Sequence, residues 1–380
     1  MRTPPLSLYI HIPWCVQKCP YCDFNSHGLK QAIPEKAYIA HLLDDLGIDA
    51  QRVGDREVSS IFFGGGTPSL FSPEGIAAIL HGVRQRVNLA KNAEITLEAN
   101  PGTVESENFS GFRQAGVNRI SIGVQSFQSQ QLQALGRIHD GSQALSAAGY
   151  AHNAGLNSFN LDLMHGLPDQ TTANALADLN QAILQQPPHL SWYQLTIEPN
   201  TLFASKPPTL PDDDILWEIQ QQGHELLTAN GYQQYEISAY SQAGHQCQHN
   251  LNYWRFGDYL GIGCGAHGKI TDAQYGSISR TVKVKHPKGY MDLSQPYLAS
   301  DTQVAADDLP FEFMMNRLRL TEACPKQDYD DFTGLTTAQF GLNDKLQQAI
   351  DKGLLIDTAS HWQVSPLGRR YLNSLLELLV

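Results

Sequence analysis

Cys15-Val16-Gln17-Lys18-Cys19-Pro20-Tyr21-Cys22 places three thiolates within eight residues, so they can converge on one metal centre without long-range folding. Soft sulfur donors suit an iron–sulfur cluster or zinc. A cubane of about four irons held by three cysteines keeps one iron open to a small chelating molecule. A closed structural zinc wants a fourth ligand, which His11 or His27 would supply. The Cys-x3-Cys-x2-Cys spacing, with Tyr21 before the last cysteine, favours the cluster over paired Cys-x2-Cys zinc knuckles.

Just upstream, Leu6-Ser7-Leu8-Tyr9-Ile10-His11-Ile12 alternates with the period of a strand. Leu6, Leu8, Ile10 and Ile12 share one face, Tyr9 and His11 the other, and Pro13 ends the run. The cysteine loop therefore sits beyond a strand's C-terminal end. A helical pattern follows over 35–51, and the strand-then-helix rhythm repeats. Strands are predicted at 58–63, 94–99, 119–124, 158–163 and 190–197, and helices at 73–86, 106–115, 129–136, 141–154 and up to 185. Six β/α units imply a parallel sheet with right-handed crossovers. A doubly wound sheet and a curved barrel both fit. Each strand ends in small or polar residues, and barrel chemistry is built at that rim.

Beyond Pro211 the character changes, with a helix predicted over 212–230, a strand over 235–240, then a Gly-, aromatic- and His-rich stretch to about Gly289. Helices resume at Pro310, and a hairpin over 353–364 precedes a closing helix over 368–379. Helix, helix, hairpin, helix suggests a winged helix. The expected organisation is a barrel over 1–235, a connecting region over 236–305 and a winged-helix-like domain over 306–380.

Hydrophobic content of 42% and charged content of 17% are ordinary for a globular protein. A net charge of −12 argues against a nucleic-acid partner. No secretory h-region follows Met1, and no apolar run has the length of a spanning helix. Cysteines 15, 19, 22, 247, 264 and 324 form no secreted disulfide framework. The cytoplasm is the expected location, with peripheral membrane contact left open.

Tyr9-Ile10-His11-Ile12-Pro13-Trp14-Cys15 through Cys22-Asp23-Phe24-Asn25 resembles the radical S-adenosylmethionine (SAM) enzymes, in the branch related to oxygen-independent coproporphyrinogen III dehydrogenase. The resemblance runs essentially end to end. It implies an α/β fold, a partial (β/α)6 TIM-like barrel with a smaller, mostly helical winged-helix-like C-terminal domain. It assigns Cys15, Cys19 and Cys22 to a 4Fe–4S cluster, and Gly65, Gly66 and Thr67 to the methionine amino group of SAM. It adds Tyr9, Glu98, Gln125, Arg137 and Asp162 as further SAM contacts, with Arg137 able to pair with the methionine carboxylate. Read without the resemblance, Arg137 is a solvated helix end and Glu98 a helix-capping or surface acid.

Two departures separate this chain from the dehydrogenase. That pattern adds a cysteine where Phe24 stands, and a long segment before its motif, whereas fourteen residues precede Cys15 here. Both weigh against porphyrinogen decarboxylation and leave the cluster untouched. His249-Asn250-Leu251-Asn252-Tyr253-Trp254 resembles a signature of haem-handling members of this branch. Imidazole is a good axial ligand for haem iron, and Tyr253 and Trp254 offer flat apolar area. On residues alone, His249 reads better as a hydrogen-bonded packing residue. Cys247, Cys264 and His267 are further candidates, and 261–268 also reads as a close-approach loop near the SAM site. Cys324 reads as a small buried hydrophobe. The expectation is a haem chaperone that loads recipient apo-haemoproteins and dimerises when loaded, with the radical dehydrogenase as the alternative.

Overall fold

The alternation at Leu6–Ile12 becomes strand β1, whose four aliphatic side chains are buried in the main core with Tyr38, Leu42 and Leu46. The computed structural model describes residues 1–102 and 107–380. Ser106, where a helix is expected to start, lies outside the described residues.

The β/α rhythm continues through β2 (Glu57–Gly65), β3 (Asn88–Ala99), β4 (Arg119–Gln125), β5 (Ser158–His165) and β6 (His189–Gln194). Between them lie α1 (Glu35–Ala50), α2 (Pro73–Arg84), α3 (Phe109–Ala115), α4 (Ser129–Ala134), α5 (Gly141–Asn153) and α6 (Thr172–Leu184). Local chemistry sets the helix starts. Ser72 accepts from Gly75 N–H with Pro73 at the first helical position of α2, and Asp140 and Gln143 close a capping box on α5. The core-facing stripe of α2 (Ile76, Ile79, Leu80 and Val83) is buried, and each such side chain contributes roughly 1.5–3 kcal/mol.

All six strands pair parallel in chain order. After α7 (Asp213–Ala229), the strand expected over 235–240 is two strands, β7 (Gln233–Glu236) and β8 (Ala239–Ser241), and β8 pairs antiparallel with β6. The Gly- and His-rich stretch resolves into a helix, α8 (Gln248–Trp254), then β9 (Asp258–Ile262), β10 (His267–Asp272) and β11 (Ser277–Lys283), with β12 (Leu298–Gln303) beyond. Strand β9 pairs parallel with β1, so the parallel run has seven strands, not six. Its outer neighbours are antiparallel, giving a twelve-stranded sheet in the order β12-β11-β10-β9-β1-β2-β3-β4-β5-β6-β8-β7.

Near the C-terminus, α9 (Leu309–Arg317), α10 (Lys326–Thr333) and α11 (Leu342–Asp351) surround their own core of Phe313, Tyr329 and Trp362. The hairpin appears as Leu355–Asp357 against His361–Val364, with Cys324–Pro325 as a third strand. Cys324 is buried there. The closing helix breaks at Tyr371. Phe256 against Phe313, and the Arg319–Glu236 and Arg255–Glu322 ion pairs, fasten this module to the sheet.

Candidate functional site

The three motif cysteines are half-buried in the loop leaving β1. Trp14–Cys15 pairs briefly with His27–Gly28, which folds the loop back on itself. Asn25 anchors it by donating to the carbonyls of Cys264 and Lys285, both at 3.0 Å. His11 Nε2 lies 2.8 Å from the Asn25 carbonyl, so Nε2 carries the proton and Nδ1 accepts from the Tyr9 hydroxyl at 3.1 Å. Burial holds that imidazole neutral, with its pKa lowered to about 4. His27 is engaged with the Lys285 carbonyl at 3.2 Å.

Burial pushes the Cys15 and Cys22 thiols up, and the Thr67 hydroxyl partly offsets this at Cys15. Arg137 is no solvated helix end. Its guanidinium donates to Cys19 Sγ at 3.5 Å, Asn100 Oδ1 at 2.6 Å and the Gly123 carbonyl at 2.8 Å. Among the described residues, no three His, Cys, Asp or Glu side chains converge on a single ion. A cubane binds each cysteine through a different iron and holds its sulfurs further apart than one ion does.

Beside this loop, Gly65 ends β2 and Gly66 follows it. A Cβ on Gly66 would lie 2.5 Å from the Trp14 carbonyl oxygen, a backbone atom that has nowhere to go. Its N–H donates to the Ile12 carbonyl at 2.7 Å, and Thr67 N–H to the Trp14 carbonyl at 2.7 Å. We expect Gly66→Ala to destabilise the fold by about 1–3 kcal/mol and to weaken SAM binding, read by denaturant melts and titration of the reconstituted protein.

Glu98, at the end of β3, accepts from Gly65 N–H at 3.2 Å and has no cationic partner among the described residues. Burial, then the nearby Asp162 charge, raise its pKa to about 8. Asp162 accepts from Ser121 at 2.9 Å and Asn160 at 2.7 Å. Gln125 is buried with a positive φ of 66°, and its side-chain oxygen accepts from Tyr193 at 2.8 Å. The structure thus brings Tyr9, Gly65, Gly66, Thr67, Glu98, Gln125, Arg137 and Asp162 to one concave strand-end rim, around the cysteine loop. A buried Glu98 carboxyl with no cationic partner among the described residues, beside three thiols, suits a sulfonium bearing an ammonium head. Asn25, Asn100 and Tyr193 had no assigned role in the sequence; their partners are too distant in the chain to announce them.

His249 lies elsewhere. It is 1% exposed, and both ring nitrogens are engaged, Nδ1 with Ser60 at 3.0 Å and Nε2 with Tyr253 at 2.8 Å. Its backbone N–H donates to Glu94 at 3.1 Å. Helix α8 therefore plugs the end of the sheet opposite the rim, and burial lowers the His249 pKa to about 3. Phe62 bridges the two ends, 5.1 Å from the His249 ring and 6.4 Å from Tyr9. Cys247 joins the plug through Glu94, and Cys264 donates to the Lys285 carbonyl beneath the cysteine loop. Of the stretch 261–268, the ends belong to β9 and β10 and the turn between them makes the close approach, since a Cβ on Gly263 would lie 2.4 Å from the His11 carbonyl oxygen. His249→Ala should cost about 1–3 kcal/mol by stranding Ser60 and Tyr253, read as a lowered melting temperature.

Comparison with known proteins identifies the chain's relatives. The radical SAM superfamily profile matches residues 9–179, and the HemN C-terminal domain profile residues 304–371. The heme chaperone HemW of Escherichia coli (strain K12) is 60% identical over 380 residues, covering 100% of this chain and 99% of that protein. The heme chaperone HemW of Haemophilus influenzae is 59% identical over 383 residues, at the same coverage. The E. coli coproporphyrinogen III oxidase HemN superposes with a TM-score of 0.84 at 23% identity, covering 99% of this chain and 90% of that one, which establishes the partial-barrel fold. This chain belongs to the radical SAM superfamily, in the family of the HemW proteins.

Proposed function

We propose that this protein binds haem and transfers it to recipient apo-haemoproteins, carrying a 4Fe–4S cluster and SAM at the strand-end rim. The observation that carries the reading is the end-to-end 60% identity to a protein named heme chaperone HemW. The rim chemistry supports the cofactor half of it. Cys15, Cys19 and Cys22 would hold the cluster, Glu98 and the Gly65–Thr67 backbone the cationic head of SAM, and Arg137 its carboxylate. When bound, such a pair supplies one-electron cleavage of a carbon–sulfur bond. The residues' own part is to orient: Tyr9 stays a protonated donor because burial and Glu98 raise its pKa, and Arg137 ties the Cys19 loop to β4.

No helix among the described residues is long and apolar enough to cross a membrane. We place the transfer in the cytoplasm, with peripheral membrane contact and a loaded homodimer as parts of the same proposal. The test is anaerobic reconstitution, haem titration, then transfer to an apo-acceptor protein monitored by the acceptor's spectrum. Failure to load or transfer haem overturns the reading. Formation of protoporphyrinogen from coproporphyrinogen III, SAM and reductant would install the dehydrogenase in its place; Phe24 at the extra cysteine's position weighs against that.

A further inference from the structure

Where the concave face of the sheet passes from β1 to β9 and β11, it meets α9 of the C-terminal module across a cleft of about 450 Å³. Tyr259, His267 and Arg280 line the sheet side, and Phe311 and Met315 the helix side. A second lobe of about 240 Å³ shares Tyr259 and Arg280 and reaches Tyr253 and Trp254 of α8. Both sizes lie within or near the range that takes a cofactor-sized ligand.

The polar groups here are of two kinds. Most are committed: Lys269 is bound to Asp258 at 2.9 Å and to the Phe256 carbonyl at 3.0 Å. Arg280 holds the Tyr259 hydroxyl at 2.9 Å and is paired with Glu312. Two are not. The His267 imidazole is exposed in the cleft and makes no hydrogen bond among the described residues. The Trp254 indole N–H is buried without a partner. Partial burial, with Lys285 and Arg280 close by, lowers the His267 pKa, which keeps the ring in its metal-ligating neutral form.

We propose that this cleft is the cargo site: an iron porphyrin lies between Tyr259 and the Phe311–Met315 face of α9, with His267 as its axial ligand. A flat apolar macrocycle needs aromatic and thioether walls, one free imidazole and somewhere for its two carboxylates. Asp308 and Glu312 on the wall turn those carboxylates outward, towards exposed Lys285. The haem signature then acts through Tyr253 and Trp254, which line the inner lobe, while His249 braces them from behind. This rests on the haem-carrying reading above, and the experiment separates the two.

Haemin is titrated into the anaerobically reconstituted full chain, followed in the Soret region, for wild type, His267→Ala, His249→Ala and Met315→Lys. His267 and Met315 are exposed, so their replacement leaves the fold intact. The expected result is that His267→Ala loses the imidazole-ligated spectrum and binds at least about tenfold more weakly, and that added imidazole restores the spectrum. Met315→Lys weakens binding, and folded His249→Ala keeps the wild-type spectrum. Unchanged spectra and affinities in both His267→Ala and Met315→Lys would overturn the cleft while leaving haem carriage standing. A wild-type protein that binds no haemin overturns both.

Discussion

Replacing Cys19 with alanine is expected to empty the anaerobically reconstituted protein of its cluster, with iron falling from about four per chain towards zero. Two thiols remain, and neither fold nor sequence supplies a third. His11 is spent on Tyr9 and Asn25, His27 on Lys285, and Cys264 faces the Lys285 carbonyl. The variant should still fold, because Cys19 is only half-buried and Arg137 keeps Asn100 and Gly123 as partners. Cys264→Ala is the matched control: a buried cysteine beside the loop whose loss should leave the iron count unchanged. Full iron retention in the Cys19 variant would remove the cluster assignment, and with it the reading of the rim.

Glu98→Gln should weaken SAM binding by about ten- to a hundredfold, the loss of a hydrogen bond to a charged group worth roughly 1.5–3 kcal/mol. The pH dependence identifies the cause. Glu98 titrates near 8 in the folded, ligand-free chain, against 4.5 for its ordinary value. The folded state therefore holds the extra proton between those limits. The stability this group contributes is fully present below the lower limit and is lost as pH rises through the upper one. A cationic ligand favours the ionised carboxylate, so binding expels that proton near neutrality. Wild-type affinity should rise between about pH 6 and about pH 8, and calorimetry in buffers of different ionisation enthalpy should detect the released proton. In the glutamine variant the Glu98 part of this slope disappears. A slope unchanged by the substitution would assign the proton to another group.

How much of this was legible beforehand follows from chain distance. The alternation of β1 and the cysteine spacing are local, so each is visible within a few residues. The six β/α units were readable because each strand and its helix are consecutive. The seventh parallel strand was not: Ile262 pairs with Ile10 across most of the chain, and the Gly-rich run from Gly261 that the strand enters carries little strand signal. The role of Arg137 was hidden for the same reason, its Cys19 contact spanning 118 residues. His249 read on its own residues as a hydrogen-bonded packing residue, and only the resemblance offered it as a ligand; nothing nearby in sequence names Ser60, 189 positions away, as the partner of one nitrogen.

The series of ring contacts Tyr9, Phe62, His249, Tyr253 and Tyr259 has a thermodynamic corollary. It joins the rim to the wall of the cleft through contiguous rings, and any coupling free energy between ligands at its two ends would be carried along it. Reciprocity then requires the two binding constants to alter each other by the same factor. The free energy of the doubly loaded state is the same whichever ligand binds first.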